Sequence, residues 1–187
     1  DVQIGGRQSE IEERFNQVVI NTAGVATVFQ PLRVQADAFT YLVTPRFKIN
    51  PELMVYARLA SGYRAGGPNN FPGGVVPAQY EPDETRNYEV GLKGDFLDRT
   101  ITLDASVYYI DWQDIQISAL SPNSTSYLTN GSGARSQGVE LALDWNAFVG
   151  NRISGWVAHG DAELTESFPA GSTAYGVPRN RLPNSSR

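Results

Sequence analysis

Residues Ile101 to Tyr109 (ITLDASVYY) alternate apolar and polar on a period of two. Ile101, Leu103, Ala105, Val107 and Tyr109 share one face of a strand, and Thr102, Asp104, Ser106 and Tyr108 share the other. About 9–11 residues suffice for a tilted β-strand to cross a bilayer. An aromatic at the end of the apolar row suits the interfacial girdle of a transmembrane barrel. The segment reads as a membrane-crossing strand whose polar face looks into a lumen.

The same pattern recurs along the chain. Phe39, Tyr41, Val43, Pro45, Phe47 and Ile49 form an apolar row against Thr40, Leu42, Thr44, Arg46 and Lys48. Leu53, Val55, Ala57 and Leu59 oppose Met54, Tyr56, Arg58 and Ala60, and Tyr88, Val90, Leu92, Gly94 and Phe96 oppose Asn87, Glu89, Gly91, Lys93 and Asp95. Val139, Leu141, Leu143 and Trp145 oppose Glu140, Ala142, Asp144 and Asn146. Weaker rows start at Val2 and Ile153. The pattern predicts strands near 1–16, 38–50, 52–64, 83–96, 100–117, 134–148 and 151–164, each antiparallel to its sequence neighbours. Pro45 removes a ladder donor inside a row and is expected to mark a bulge.

Connections alternate short and long. Asn50-Pro51-Glu52, Leu97-Asp98-Arg99 and Val149-Gly150-Asn151 are tight-turn sequences. Stretches near 17–37, 65–82, 113–130 and 161–182 are long and rich in Gly, Pro, Asn and Ser. Short turns on one side and long loops on the other characterise outer-membrane barrels, with the turns periplasmic. Leu53 to Tyr63 and Ile101 to Trp112 therefore run outward.

Composition changes this picture mainly by exclusion. The 187 residues carry no run of roughly 18 apolar residues that would make a transmembrane helix, and only helices and closed barrels satisfy the backbone within lipid. Cysteine is absent, which excludes disulfides and thiolate metal sites. A net charge of −5 leaves no basic stripe for nucleic acid. The fold class expected is all-β: an antiparallel transmembrane barrel segment of about seven strands in meander order, forming an open curved sheet with two bare edges. At this level a soluble β-sandwich binding module remains an alternative, because one-faced apolar strands build sandwiches too.

Specific stretches go further. YARLASGYRAGGPN (Tyr56 to Asn69), YEPDETRNYEVGLKGDFLDRTITLDASVYYIDWQDIQI (Tyr80 to Ile117) and GARSQGVELAL (Gly133 to Leu143) resemble the barrel strands of TonB-dependent outer-membrane receptors. Pro82, Glu84 and Asn87 to Lys93 match the family's descending strand, and Phe96-Leu97-Asp98-Arg99 its periplasmic turn. The likeness is greatest to the iron-complex branch. It implies an integral outer-membrane protein taking up a scarce nutrient such as a ferric siderophore, driven by TonB acting on a plug domain. Neither plug, TonB box nor terminal aromatic strand is recognisable in residues 1–187, and family barrels have about 22 strands. The chain therefore reads as one partial barrel domain over 1–187, an internal piece of a receptor. A passive porin-type channel, which lacks a plug, is the alternative function.

Candidate chemistry is sparse. No catalytic set is present, so no enzyme and no cofactor are expected. The single His159 has no second histidine or cysteine beside it and reads as a surface or lumen residue. Asp111 and Asp114 flank Trp112 as a solvated loop mouth rather than a cation site. The glycine pairs Gly66-Gly67 and Gly73-Gly74 and the run Asn130 to Gly133 lack the Lys-Ser/Thr ending of a phosphate cradle. Arg46, Lys48, Arg58, Arg64 and Lys93 are expected to pair with Glu89, Asp95, Asp104, Glu140 and Asp144 across strands and to meet a plug. Tyr63, Arg64, Asn69, Asn70, Phe71, Tyr80 and Trp112 are the candidate ligand-binding residues of an extracellular mouth, with Arg for anions and aromatics for flat contact.

Overall fold

A computed structural model describes residues 1–20, 22–29, 31–69 and 76–182. The candidates Asn70 and Phe71, with Gly73 and Gly74, lie outside the described residues. The strands are β1 (Val2–Phe15), β2 (Val18–Ile20), β3 (Ala26–Val28), β4 (Leu32–Lys48), β5 (Leu53–Arg64), β6 (Gly67–Pro68), β7 (Gln79–Tyr80), β8 (Asp83–Phe96), β9 (Ile101–Gln113), β10 (Gln116–Leu120), β11 (Ser126–Asn130), β12 (Ala134–Phe148) and β13 (Asn151–Leu164). Seven of them form one antiparallel sheet in the order β1-β4-β5-β8-β9-β12-β13. This is the expected meander, open at β1 and β13.

The differences from expectation lie above the membrane. The strand predicted from residue 38 begins at Leu32, where it pairs with Phe15 as β1 and β4 rise together beyond the bilayer. The strand predicted to run to 117 stops at Gln113, because Asp114 adopts a left-handed backbone (φ 55°) that ends the ladder. Three long connections carry their own hairpins, β2–β3, β6–β7 and β10–β11. Pro45 does not make a bulge. Pairing between β4 and β5 lapses around Pro45 and resumes at Arg46–Tyr56 in the register held by Val43–Leu59. The register shift lies instead near the β12–β13 turn, between Trp145 and Phe148.

The apolar rows are exposed. Phe47 is 68% exposed, Val107 52% and Val139 49%, all on the apolar face. Among the described residues the buried apolar side chains are few: Val34, Tyr56, Ile115, Ala119, Ala134 and Leu164. A sandwich would bury its apolar rows against a second sheet. Here those rows form a continuous outward surface, as lipid contact requires.

The upper limit of that surface can be traced strand by strand. Moving toward the loops, outward positions switch from Phe39 to Asp37 on β4, Tyr88 to Arg86 on β8, Tyr109 to Asp111 on β9 and His159 to Asp161 on β13. The strand register links Val43, Leu59, Tyr88, Tyr109, Gln137 and Asp161 in one row across the sheet. The boundary falls by about six residues relative to that row between β4 and β13, roughly 20 Å along the strands over about 24 Å across them. That slope is a strand tilt of roughly 40°, within the range of transmembrane barrels. At the opposite end Phe96, Trp145 and Phe148 supply the second aromatic belt.

Candidate functional site

The lumen face of the sheet is a wall of cross-strand pairs. Arg58 and Glu89 are directly opposite on β5 and β8, with Nη1 3.3 Å from Oε2. The Tyr56 hydroxyl donates to Glu89 Oε1 at 2.6 Å, and its ring covers Gly91, its partner across the ladder. Lys93 pairs with Asp104, its direct partner on β9. Thr102 donates to Asp95 at 2.7 Å, and Arg152 grips Asp144 with two bonds of 2.6 and 2.8 Å. The expected mutual pairing is present for Arg58 with Glu89 and Lys93 with Asp104, whereas Asp144 is taken by Arg152, outside the expected set. Arg46 instead bonds Asp1 at 2.8 Å, and Arg64 pairs with Asp83. Glu140 joins Tyr56, Lys93, Asp104 and Trp156 around one depression of about 470 Å³ on this wall.

Above the membrane the loops converge on a single body. Arg64, the last residue of β5, points to the lumen side, where its Nε donates to Asp83 Oδ2 at 3.1 Å. Its guanidinium lies 6.0 Å over the Trp112 ring. The Asp83 carboxylate is nearly inaccessible, its side chain 4% exposed, and it also accepts from Gln116 N at 3.4 Å. The Gln116 side-chain amide donates to Arg64 O, Ala65 O and Glu81 O at 3.3, 2.9 and 3.2 Å. One neutral amide thus closes the base of the 65–82 loop. Charge at the site is balanced locally.

Two asparagines complete the union. Asn69 donates to Leu128 O at 2.7 Å and accepts from Leu128 N at 2.8 Å, so its amide imitates a strand neighbour for β11. Asn130 does the same for Glu81, at 2.8 Å to its carbonyl and 2.7 Å from its N–H, and donates to Asp114 O at 2.9 Å. The segment after β13 docks on the same body through Leu120 N to Gly171 O at 2.7 Å and Thr173 N to Ser118 O at 2.9 Å. Ile115, Ala134 and Leu164 form its small core, packed by Trp112, Ile117, Phe168 and Leu182.

The predicted mouth residues therefore divide. Arg64 and Trp112 come together at the lumen side, and Asn69 and Tyr80 lie in the adjoining loop. Asn69 is buried and both ends of its amide are engaged, so it holds the wall rather than facing a ligand. Tyr63 points outward, on the opposite face from Arg64, and pairs with Glu84 four residues up the strands from the Leu59–Tyr88 pair, so it does not join Arg64 and Trp112 on the lumen side. Asp111 accepts from Gln113 at 2.7 Å, and among the described residues no three His, Cys, Asp or Glu side chains are grouped to hold a metal. His159 lies outward at the apolar boundary, opposite Val139, rather than in the lumen. Sequence reasoning missed Gln116, Asp83 and Asn130. Only their polarity at strand ends hinted at a role.

A family model described as TonB dependent receptor-like, beta-barrel, matches residues 1–187. The metal-pseudopaline receptor CntO of Pseudomonas aeruginosa is 27% identical over 143 residues, covering 73% of this chain and 19% of that protein. The probable TonB-dependent siderophore receptor PiuA of Acinetobacter baumannii is 26% identical over 172 residues, 89% of this chain and 22% of that one. The crystal structure of the ferric yersiniabactin uptake receptor FyuA from Yersinia pestis superposes with a TM-score of 0.71 at 23% identity, over 95% of this chain and 26% of that one. At that identity the superposition establishes the fold alone. The chain spans about a fifth of the length of the curated relatives it matches. With an outward apolar band, paired lumen charges and long loops on one side, the chain belongs to the TonB-dependent receptor family of outer-membrane β-barrels.

Proposed function

We propose that the protein containing this chain takes up a metal chelate, a ferric siderophore first among them, across the outer membrane by a TonB-driven mechanism. This chain supplies a sector of barrel wall and three interlocked loops of the extracellular mouth. The observation that carries the reading is the site around Arg64. A guanidinium on the lumen side, stacked on Trp112 and held by Asp83, presents a fixed donor and an aromatic surface to the vestibule. Family membership and the siderophore and metallophore receptors among the relatives support the choice of cargo.

The wall of paired charges below supports a second part of the reading. Because Arg58–Glu89 and Lys93–Asp104 balance each other, the lumen surface is polar with few uncompensated charges. A plug domain would rest against such a surface through hydrogen bonds that exchange readily with water, and TonB would act on that plug. Deleting the complete gene should abolish growth rescue and ⁵⁵Fe accumulation from the cognate chelate under iron limitation, and deleting tonB should do the same. Uptake that persists without TonB would point to a passive channel. Unchanged iron accumulation in the gene deletion would reject the iron-chelate cargo.

A further inference from the structure

We propose that Arg7, on the lumen face of β1, is a second cargo-binding residue, and that with Arg64 it selects an iron chelate of net negative charge. The inference rests on the uptake reading above and deepens it by fixing the charge class of the cargo.

The lumen wall has two charged levels separated by a neutral one. Gly5, Leu42, Ala60, Asn87, Ile110 and Ser136 follow one another in register across the sheet, and none carries a charge. Below this row lie Arg58–Glu89 and Lys93–Asp104, which balance each other. Above it lie Arg7, one lumen position beyond Gly5, and Arg64 with Asp83. The neutral row separates Arg7 from the wall on which a plug would rest and leaves it with the vestibule.

Arg7 is available in a way its neighbours are not. Of the other arginines on the lumen face of β4 and β5, Arg46 is held by Asp1, Arg58 by Glu89 and Arg64 by Asp83. Arg7 is exposed and forms no ion pair among the described residues. Beside it Gly5, Thr40, Leu42 and Ala60 surround a hollow of about 380 Å³. The hydroxyl of Ser9, the next lumen position above, is shut from solvent with no hydrogen-bond partner among the described residues. A free guanidinium, a hollow and an unused hydroxyl thus adjoin on one strand face.

The two arginines are staggered in depth. Arg7 is opposite Thr40, just inside the level where the apolar band ends on β4. Arg64 is opposite Asp83, beyond the Tyr88–Arg86 boundary on β8. With β4 between their strands and one lumen row between their levels, their Cα positions are roughly 12 Å apart. Two long side chains can converge across that span on one small ligand, each through a planar fork suited to anionic oxygens. An anionic chelate descending the wall meets Arg64 first and Arg7 next. A cationic one is repelled by the unpaired guanidinium.

The test titrates the tryptophan fluorescence of the full-length receptor in detergent. The probes are ferrienterobactin and ferric dicitrate (anionic), ferrichrome (uncharged) and ferrioxamine B (cationic). At least one anionic probe should bind, at least tenfold more tightly than ferrichrome or ferrioxamine B. Arg7→Gln should weaken that probe at least fivefold and Arg7→Lys less. Arg33→Gln, a charge loss on the outward face of β4, should have no effect. The melting temperature of the ligand-free receptor should not move in Arg7→Gln. Unchanged affinity in Arg7→Gln would overturn the role of the residue, and a lowered melting temperature beside it would assign Arg7 to the plug instead. Ferrichrome or ferrioxamine B bound as tightly as the anionic probes would overturn the charge class and leave iron uptake standing. If no probe binds, the inference falls, and the iron cargo falls with it only if ⁵⁵Fe accumulation also survives deletion of the gene.

Discussion

The ring of Tyr56 occupies the space that a side chain at Gly91 would need. A Cβ built on Gly91 would sit 2.6 Å from two ring carbons and the hydroxyl oxygen of Tyr56, far inside contact distance. The two residues are direct partners on β5 and β8. The glycine lets the ring lie against the sheet, which in turn places the Tyr56 hydroxyl 2.6 Å from Glu89. An aromatic covering a strand glycine also protects backbone that would otherwise be open to lumen water.

Gly91→Ala should therefore displace Tyr56 and break its bond to Glu89. The expected cost is about 1–3 kcal/mol, the usual range for overpacking. Urea unfolding of the full-length receptor in lipid vesicles would measure it. Tyr56→Ala combined with Gly91→Ala should cost less than the sum of the single changes, because the second change removes the clash. Additive effects would mean that the ring and glycine do not compete for space.

The loop body makes a different prediction. Asn69→Ala removes the partner of both backbone groups of Leu128, at an expected cost of about 1–3 kcal/mol for buried polar groups left unpaired. The damage should stay local, since the sheet below keeps its own ladder. Hydrogen exchange in full-length receptor should speed up across Ser126 to Asn130 and be unchanged across β8 and β9. Gln116→Glu should have a similar effect on residues 65–69, because a carboxylate cannot donate to the carbonyls of Arg64, Ala65 and Glu81.

Arg64 and Asp83 allow a test by sign. Asp83→Asn lowers the negative charge beside Arg64 while keeping a hydrogen-bonding side chain in place. If Arg64 contacts an anionic chelate, this change should tighten chelate binding several-fold, while Arg64→Ala should weaken it. If the pair only holds the loop, both changes should weaken binding or leave it unmoved. Isothermal titration of full-length receptor with the cognate chelate distinguishes the two outcomes.

How legible the fold was depended on the solvent on each side of the strand. Between Phe39 and Phe148 lipid and lumen differ so strongly that Val107 and Tyr108 could be assigned to faces from alternation alone. Above the bilayer both faces meet water, the contrast disappears, and β2, β3, β10 and β11 went unpredicted. The early stop at Gln113 depends on one left-handed residue, Asp114, whose neighbours Gln113 and Ile115 carry no turn signal. The site was only partly legible for a related reason. Asn69 meets Leu128, 59 residues away, and nothing local encodes that partner. Tyr63 was readable: adjacent to Arg64 on a continuous strand, it must face the other way.

The assignment of faces is itself open to a sharp test, because a slip of one residue exchanges them completely. Leu103 points outward and Asp104 toward the lumen, where it meets Lys93. Leu103→Arg should cost roughly 2–4 kcal/mol if it lies near the bilayer midplane. Asp104→Asn loses only a half-exposed ion pair and should cost about 1 kcal/mol or less. Spin labels on cysteines at the two positions in vesicle-reconstituted receptor should report oxygen access at 103 and access to a water-soluble relaxation agent at 104. The reverse pattern would mean that the register is wrong by one residue. Water access at both would mean that this strand does not face lipid at all, and the tilt traced from Phe39 to His159 would fall with it.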